Sequence, residues 1–177
     1  MTLYQIKSHT DGRVLYECEA ESLADAVNQA VATGSDLRGS NLRYSNLSYS
    51  DLSGSDLSGS DLRYSNLRGS DLRYSNLSGS DLSGSVLIGS VLIGSDLSGS
   101  VLNWRSHALV GEILRRHAGK DPAKRKIAGL VLVSTDWCWQ KFLAIDDPLR
   151  DWAISVLRDY VQDGDRAPDV LTASANE

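Results

Sequence analysis

The sequence lacks the long apolar segments of a membrane protein. No apolar run approaches the roughly 20 residues needed to span a bilayer, and the first residues lack the basic-then-apolar order of a signal peptide. Cysteine is also scarce, and Cys18 and Cys138 lie in opposite terminal segments, which favours two reduced thiols over a disulfide framework. We therefore expect a cytoplasmic protein without a membrane partner.

Positive charge is in short supply too. The formal net charge is -5 and the pI is near 5.2, and this mildly acidic balance disfavours a nucleic-acid-binding face. Glycine-rich phosphate loops and the zinc-binding HExxH pattern are absent from the sequence. The sequence therefore predicts a protein with no cofactor and no nucleic-acid partner.

The residues that could carry chemistry are scattered along the chain. His107 and His117 share a predicted helix, but ten residues separate them, and neither joins a Cys or a carboxylate at metal-ligand spacing. Cys138 stands between two tryptophans without a nearby base. Asp147 precedes Pro148, where it is expected to begin a helix. We therefore predict no catalytic residue, no metal ligand and no enzyme.

Alanine is absent from residues 35–104, and a five-residue word repeated fourteen times fills this segment instead. A period of five matches neither the 3.6-residue period of a helix nor the two-residue period of a strand. Glycine closes nine of the fourteen words, a density that would destabilise a helix by about 1 kcal/mol at each position. The segment predicts a solenoid in which each word forms one side of a coil and one inward Leu fills the core.

The predicted core leucines recur every five residues. They are Leu37, Leu42, Leu47, Leu52, Leu57, Leu62, Leu67, Leu72, Leu77, Leu82, Leu87, Leu92, Leu97 and Leu102.

Three of these words, SDLRG, SNLRY and SDLSG, resemble pentapeptide repeats, whose usual form is Ala-Asp/Asn-Leu-x-x. The resemblance covers residues 35–104. It implies a mainly β solenoid, namely a right-handed four-sided β-helix with four words per coil. It also implies that the Leu and the residue two places before it point inward, whereas the other three residues point outward.

Serine stands where the resemblance implies an inward alanine. The inward serines are Ser40, Ser45, Ser50, Ser55, Ser60, Ser65, Ser70, Ser75, Ser80, Ser85, Ser90 and Ser95. A buried hydroxyl without a partner costs roughly 1–3 kcal/mol, so each Ser is expected to bond a backbone carbonyl. The uniform replacement favours an engineered recoding of this position, and a natural lineage that prefers Ser is the alternative.

Residues 1–34 predict a ββα cap for the first coil. Apolar and polar residues alternate on both sides of a turn at residues 9–12, as in a β-hairpin. A helix then begins at Ser22, a typical N-cap residue with Asp25 three positions later, and ends at Gly34.

Residues 105–162 predict an α-helical cap for the other end of the rod. Helix starts are expected at Ser106, at Asp121, at Thr135 or Asp136, and at Asp147. The fourth helix is expected to end near Val161. Residues 163–177 are expected to form a flexible tail.

Two consecutive words, both SVLIG, break the polar pattern of the outward positions. The expected outward apolar patch consists of Val86, Ile88, Val91, Ile93 and Val101. Exposed β-branched residues near an open end would be a sticky surface. We expect the C-terminal helices to fold back along the rod and cover it. A homodimer burying the same residues and a functional docking site are the alternatives.

The sequence as a whole predicts a non-enzymatic scaffold or interaction module, monomeric or weakly dimeric, with an unknown protein partner at most. An engineered model of the fold is included in this prediction. The resemblance implies a different alternative, because some pentapeptide-repeat proteins mimic duplex DNA and inhibit DNA gyrase. Here the repeat carries seven Asp against five Arg, and a net charge of -2 makes a weak mimic of DNA.

Overall fold

A computed structural model describes residues 1–133, 138–162 and 166–173 of the chain. The helices and strands are β1 (Thr2–Lys7), β2 (Val14–Ala20), α1 (Leu23–Ala32), α2 (His107–Ala118), α3 (Pro122–Leu132), α4 (Trp139–Leu143), α5 (Leu149–Arg158) and α6 (Asp169–Thr172). Residues 35–104 lie between α1 and α2 and form a four-sided rod. None of the described helices is long and apolar enough to cross a membrane.

Each coil of the rod contains twenty residues. Parallel bridges join Asn41 to Asp61 and Asp61 to Asp81, and the same spacing recurs on the other sides. The N–H of Leu42 donates to the carbonyl of Asp61 at 2.9 Å, and the N–H of Asp61 donates to the carbonyl of Ser40 at 2.9 Å. Four five-residue words therefore complete one coil, and every side of the coil pairs with the side directly above it.

The corners of the rod explain the glycine at the end of most words. Each word closes a turn in which the Ser N–H donates to the carbonyl three residues before it, as from Ser45 to Leu42 at 3.2 Å. The third residue of this turn has a positive φ, for example 66° at Gly39 and 59° at Tyr44. Glycine adopts this conformation freely, whereas other residues lose about 1–2 kcal/mol. Each five-residue word therefore forms one short side of the coil and one turn that contains a residue with a positive φ.

The fourteen repeat leucines form the core of the rod, and each is at most 3% exposed. The core continues past both ends of the rod. Ile6 of β1 and Val27 of α1 extend it below the first coil, and Leu109 and Ile113 of α2 extend it above the last. One continuous apolar column therefore runs from the hairpin to the C-terminal helices.

The repeat serines line the same interior. All twelve predicted inward serines are buried except Ser90, which is half-buried. Ten of the twelve hydroxyls donate to leucine carbonyls, either in the same turn, as from Ser65 to Leu62 at 2.7 Å, or in the preceding coil, as from Ser80 to Leu57 at 2.9 Å. Hydrogen bonding therefore offsets most of the cost of burying these hydroxyls.

The N-terminal hairpin and helix close the first coil. The antiparallel strands β1 and β2 carry Ile6 into the core, and α1 begins at Ser22, whose hydroxyl accepts from the N–H of Asp25. The carbonyl of Lys7 accepts from the N–H of Asn41 at 2.7 Å. This contact continues the backbone hydrogen bonding of the rod into the end of the hairpin.

The C-terminal helices begin largely where their capping residues stand. The side chain of Ser106 caps α2, and Asp121 caps α3 with Pro122 at its first position. The predicted start of the third helix at residues 135–136 lies outside the described residues, and α4 is observed to begin at Trp139. Helix α5 ends at Arg158, three residues before the expected end.

Within the predicted tail at residues 163–177, residues 169–172 form the short helix α6, and residues 163–165 and 174–177 lie outside the described residues. Leu171 of α6 is buried, and the guanidinium of Arg158 on α5 donates to the carbonyl of Val170 at 3.0 Å. Leu171 therefore covers part of the apolar side of α5.

Candidate interaction surface

The His, Cys and Asp side chains that were considered as possible catalytic or metal-binding residues make local structural contacts. The sulfur of Cys138 accepts a backbone N–H at the start of α4, and Asp147 accepts one at the start of α5 at 2.9 Å. Burial lowers the pKa of His107, and His117 packs edge-on against Tyr160. Within the described residues, no group of three or more His, Cys, Asp or Glu side chains could hold a metal ion.

The acidic side chains of the rod lie beside arginines. Arg38 donates to Asp36 through two nitrogens, at 2.6 and 2.8 Å, and this bond lowers the pKa of Asp36 to about 2. The other rod carboxylates within 4.0 Å of a guanidinium are Asp61 and Asp81 beside Arg63, Asp71 beside Arg73, and Asp96 beside Arg116. Five of the seven Asp residues are therefore paired, and the rod has no continuous negative side.

Tyrosine rings fill space above the glycines of the next coil. A β-carbon built on Gly69 would lie 2.6 Å from the ring of Tyr49, and one on Gly94 would lie 2.6 Å from the ring of Tyr74. Each of these tyrosines therefore needs a residue without a side chain twenty positions later. The spacing of twenty was visible in the sequence, but the fit between ring and glycine appears only in the structure.

Val86, Ile88, Val91 and Ile93, the apolar patch, lie on two adjacent sides of one coil. Their exposed fractions are 42%, 54%, 39% and 44%. The expectation that the C-terminal helices cover these residues is therefore wrong. Val101, expected in the same patch, is half-buried and lies on a different side of the rod.

Helix α2 covers the end of the rod and leaves its side open. Its apolar residues Leu109 and Ile113 are buried against the last leucines of the core. Glu112 accepts from the N–H of Gly94 at 2.9 Å, and the guanidinium of Arg116 donates to the carbonyl of Ser95. At the end of the rod α2 contacts both the apolar core and unpaired backbone groups, which favours this position over the side of the rod.

Comparison with known proteins supports this description of the rod. The pentapeptide-repeat family pattern matches residues 28–59 and 65–103, in eight copies. No curated protein matches the chain.

Similar solved structures include Rfr23, a pentapeptide repeat protein from the cyanobacterium Cyanothece 51142, which is 33% identical over 36% of this chain and 44% of that one, with a TM-score of 0.35. HetL, a pentapeptide repeat protein involved in heterocyst differentiation regulation in Nostoc sp. strain PCC 7120, is 34% identical over 37% of this chain and 29% of that one, with a TM-score of 0.24. QnrB1, a plasmid-mediated fluoroquinolone resistance protein, is 21% identical over 42% of this chain and 44% of that one, with a TM-score of 0.16.

The chain spans less than half the length of each of these three structures. The match to the family falls on the words that build the β-helical rod. Within residues 35–104 the chain is similar to the pentapeptide-repeat family, whose pattern these five-residue words match.

Proposed function

We propose that this protein is a non-enzymatic interaction module whose rod presents the apolar patch to a protein partner. The observation that carries the proposal is the exposure of four β-branched side chains, between 39% and 54%, on adjacent sides of one coil. Contiguous apolar surface of this kind is typical of protein–protein contact sites. Elsewhere the outward positions of the repeat are mostly Asp, Asn, Arg, Ser, Gly or Tyr.

The backbone beneath the apolar patch is held in place by the coil below it. The N–H of Val86 donates to Ser65 at 2.9 Å, and the N–H of Val91 donates to Ser70 at 3.0 Å. β-Branched side chains also have few rotamers. A partner that binds the patch would therefore order little of this chain, which lowers the entropic cost of association.

Site-specific photo-crosslinking tests the proposal. A photoreactive residue at position 88 lies in the apolar patch, and one at Ser98 is an exposed control on the opposite side of the same coil. We expect one defined heteromeric adduct from position 88, none from position 98, and loss of the adduct when Val86, Val91 and Ile93 are changed to Ser. The crosslinked protein, once purified, should then bind the intact chain and lose affinity for the triple Ser variant.

Other outcomes of the same experiment would contradict the proposal. Equal labelling from positions 88 and 98 would show that the patch is not a specific docking surface. An adduct of twice the chain mass would show instead that the patch is a homodimer contact.

The alternative role as a DNA mimic acting on gyrase receives no support from the charges of the rod. Arginines lie within 4.0 Å of five rod carboxylates, whereas DNA presents one unpaired negative charge about every 1.7 Å of its axis. We expect the purified protein to leave the supercoiling activity of gyrase unchanged. Inhibition that disappears at high salt would favour the mimic instead.

A further inference from the structure

A groove of about 610 Å³ runs along one side of the rod, from Arg43 in the first coil to Arg105 at its end, and Arg166 of the C-terminal segment also lines it. Its lining includes Arg43, Arg63, Arg105, Arg166, Tyr64 and Trp104. We call it the arginine groove. It involves none of the four residues of the apolar patch.

The floor of the arginine groove is set by one column of closing residues. Twenty-residue spacing places Tyr44, Tyr64, Gly84 and Trp104 in this column. The ring of Tyr64 lies against Gly84, since a β-carbon there would be 2.5 Å from the ring. Because Gly84 has no side chain, the ring of Tyr64 fills the space above it. The groove is lined by Tyr64, Gly84 and Trp104, with arginines from the rod and the C-terminal segment around them.

The charge of the arginine groove is opposite to that of the protein. Its lining carries four arginines and one carboxylate, Asp81, which is a formal +3, while the chain as a whole carries -5. Arg63 is held by Asp61 at 2.5 Å and lies 3.5 Å from Asp81. The groove therefore concentrates positive charge in one place on an acidic surface.

Three of the four guanidiniums have no carboxylate within 4.0 Å among the described residues. Arg43 lies over the ring of Tyr44, 4.6 Å from its centroid, and donates to its hydroxyl at 2.9 Å. Arg105 and Arg166 are exposed. Guanidiniums bind phosphate and carboxylate oxygens through two parallel N–H donors, so these three groups are available to an anion.

We propose that the arginine groove binds the oligophosphate group of a small molecule, such as the tail of a nucleoside triphosphate. Three guanidiniums without a carboxylate partner in the described part of the chain match several negative charges on one ligand better than they match a single carboxylate. The volume lies within the roughly 300–1,000 Å³ of typical small-molecule sites. The lining offers a phosphate ester charge-assisted hydrogen bonds from both the rod and the C-terminal segment.

Isothermal titration calorimetry of the full-length protein tests this proposal. The probes are ATP, inorganic tripolyphosphate, inorganic monophosphate and acetate. We expect both triphosphates to bind and the monophosphate and acetate to bind far more weakly. Equal affinities for ATP and tripolyphosphate would assign recognition to the phosphates alone, whereas tighter ATP binding would show that the nucleoside adds contacts.

Arginine variants assign the binding to the groove. Arg105→Gln and Arg166→Gln should each weaken tripolyphosphate binding about tenfold, which corresponds to 1.4 kcal/mol. Arg68→Gln is the matched control, because Arg68 is an exposed rod arginine outside the groove. Since all these residues lie on the surface, circular dichroism should show an unchanged fold.

Three results would overturn the proposal. Absence of tripolyphosphate binding would remove its basis. An equal loss of affinity in the Arg68→Gln control would reduce the effect to general surface charge. Tighter binding of a polyglutamate peptide than of tripolyphosphate would make the groove a docking site for an acidic protein segment.

Discussion

The two ends of the rod are closed in different ways. At the N-terminal end, the hairpin meets the first coil through backbone bonds, because Lys7 accepts from Asn41 at 2.7 Å and His9 donates to Gly39 at 2.8 Å, and one side chain, that of Asn28 on α1, accepts from Asp51. At the C-terminal end, side chains supply the partners, since Glu112 accepts from Gly94 at 2.9 Å.

The difference follows from the element that arrives at each end. A hairpin has free N–H and C=O groups along its edge and can continue a ladder of backbone bonds. A helix uses its backbone groups internally, so only its side chains can reach the open coil. The N-terminal end is thus an extension of the β-helix, and the C-terminal end is a termination of it.

The largest expected effect compares one isoleucine at each end. Ile6 of β1 and Ile113 of α2 are both 1% exposed, and truncating either to Ala should cost about 2–5 kcal/mol of unfolding free energy. We expect Ile6→Ala to lie higher in this range, because the strand is fixed by backbone bonds and cannot move to fill the cavity. Urea unfolding of both variants measures the difference. A larger loss for Ile113→Ala would show that the helical end is the more rigid one.

The next effect compares the side chains that satisfy backbone donors. Glu112 is buried and accepts from Gly94 N–H, and it also binds Arg115 at 2.6 Å. Glu112→Ala should therefore cost about 1.5–3 kcal/mol. Asn28 accepts the N–H of Asp51 at 3.0 Å, and Asn28→Ala should cost about 0.5–1.5 kcal/mol.

The control for this pair is Glu112→Gln, which keeps an acceptor for Gly94 and removes the charge. Thermal unfolding followed by circular dichroism gives the order of the three variants. If Glu112→Gln is as damaging as Glu112→Ala, the ion pair with Arg115 matters more than the backbone contact.

The repeat itself could be predicted from the sequence, and the arrangement of the C-terminal segment could not. A period of five with Gly at the corners leaves little choice of fold, and local signals such as Ser106 and Asp121 mark where helices begin. Helix α2 could pack against either the end or the side of the rod. Unpaired backbone groups at the end, such as the N–H of Gly94, favour the end, and the sequence does not show which backbone groups are left unpaired.

The arginine groove was beyond prediction for a related reason. Arg43, Arg63, Arg105 and Arg166 are far apart in sequence, and the overall negative charge pointed away from an anion site. The rod brings the first two together through its twenty-residue coil, and the packing of the C-terminal segment adds the others. The negative net charge of the whole chain therefore does not exclude a local cluster of positive side chains.

Acid should weaken both ends through their aspartates. The bond from Arg38 lowers the pKa of Asp36 in the first coil from 3.8 to about 2, and the Ser98 N–H together with Arg116 lowers that of Asp96 in the last coil. A carboxyl with a depressed pKa stabilises the fold above its unfolded pKa and loses this contribution as pH falls through its folded pKa. We expect the melting temperature to be level down to about pH 4 and to fall towards pH 2, modestly because Asp36 is exposed.

Asparagine variants distinguish the two ends in this titration. Asp36→Asn and Asp96→Asn should each flatten the acid dependence between pH 4 and pH 2. Asp96→Asn should also lower the melting temperature at pH 7, because Arg116 ties α2 to the last coil. An unchanged pH profile in both variants would place the acid sensitivity elsewhere in the chain.

The smallest effect compares two serine hydroxyls, one in the first coil and one in the second. Ser70 lies 2.8 Å from both the carbonyl of Leu67 in its own turn and that of Leu47 in the coil below. Ser50 stands one coil lower on the same side, in the first coil of the rod. Its buried hydroxyl has no partner in the described part of the chain.

Replacing these two serines with alanine should therefore have opposite results. Ser50→Ala removes an unpaired buried hydroxyl with little change in volume, and we expect a gain of about 1 kcal/mol. Ser70→Ala removes a satisfied hydroxyl and should cost about 0.5–1.5 kcal/mol. Urea unfolding of the two variants under the same conditions measures the contrast. If both variants are more stable than the unmodified protein, the bonds to leucine carbonyls do not offset the cost of burying a serine hydroxyl. The predicted difference between the edge coil and the inner coil would then be wrong.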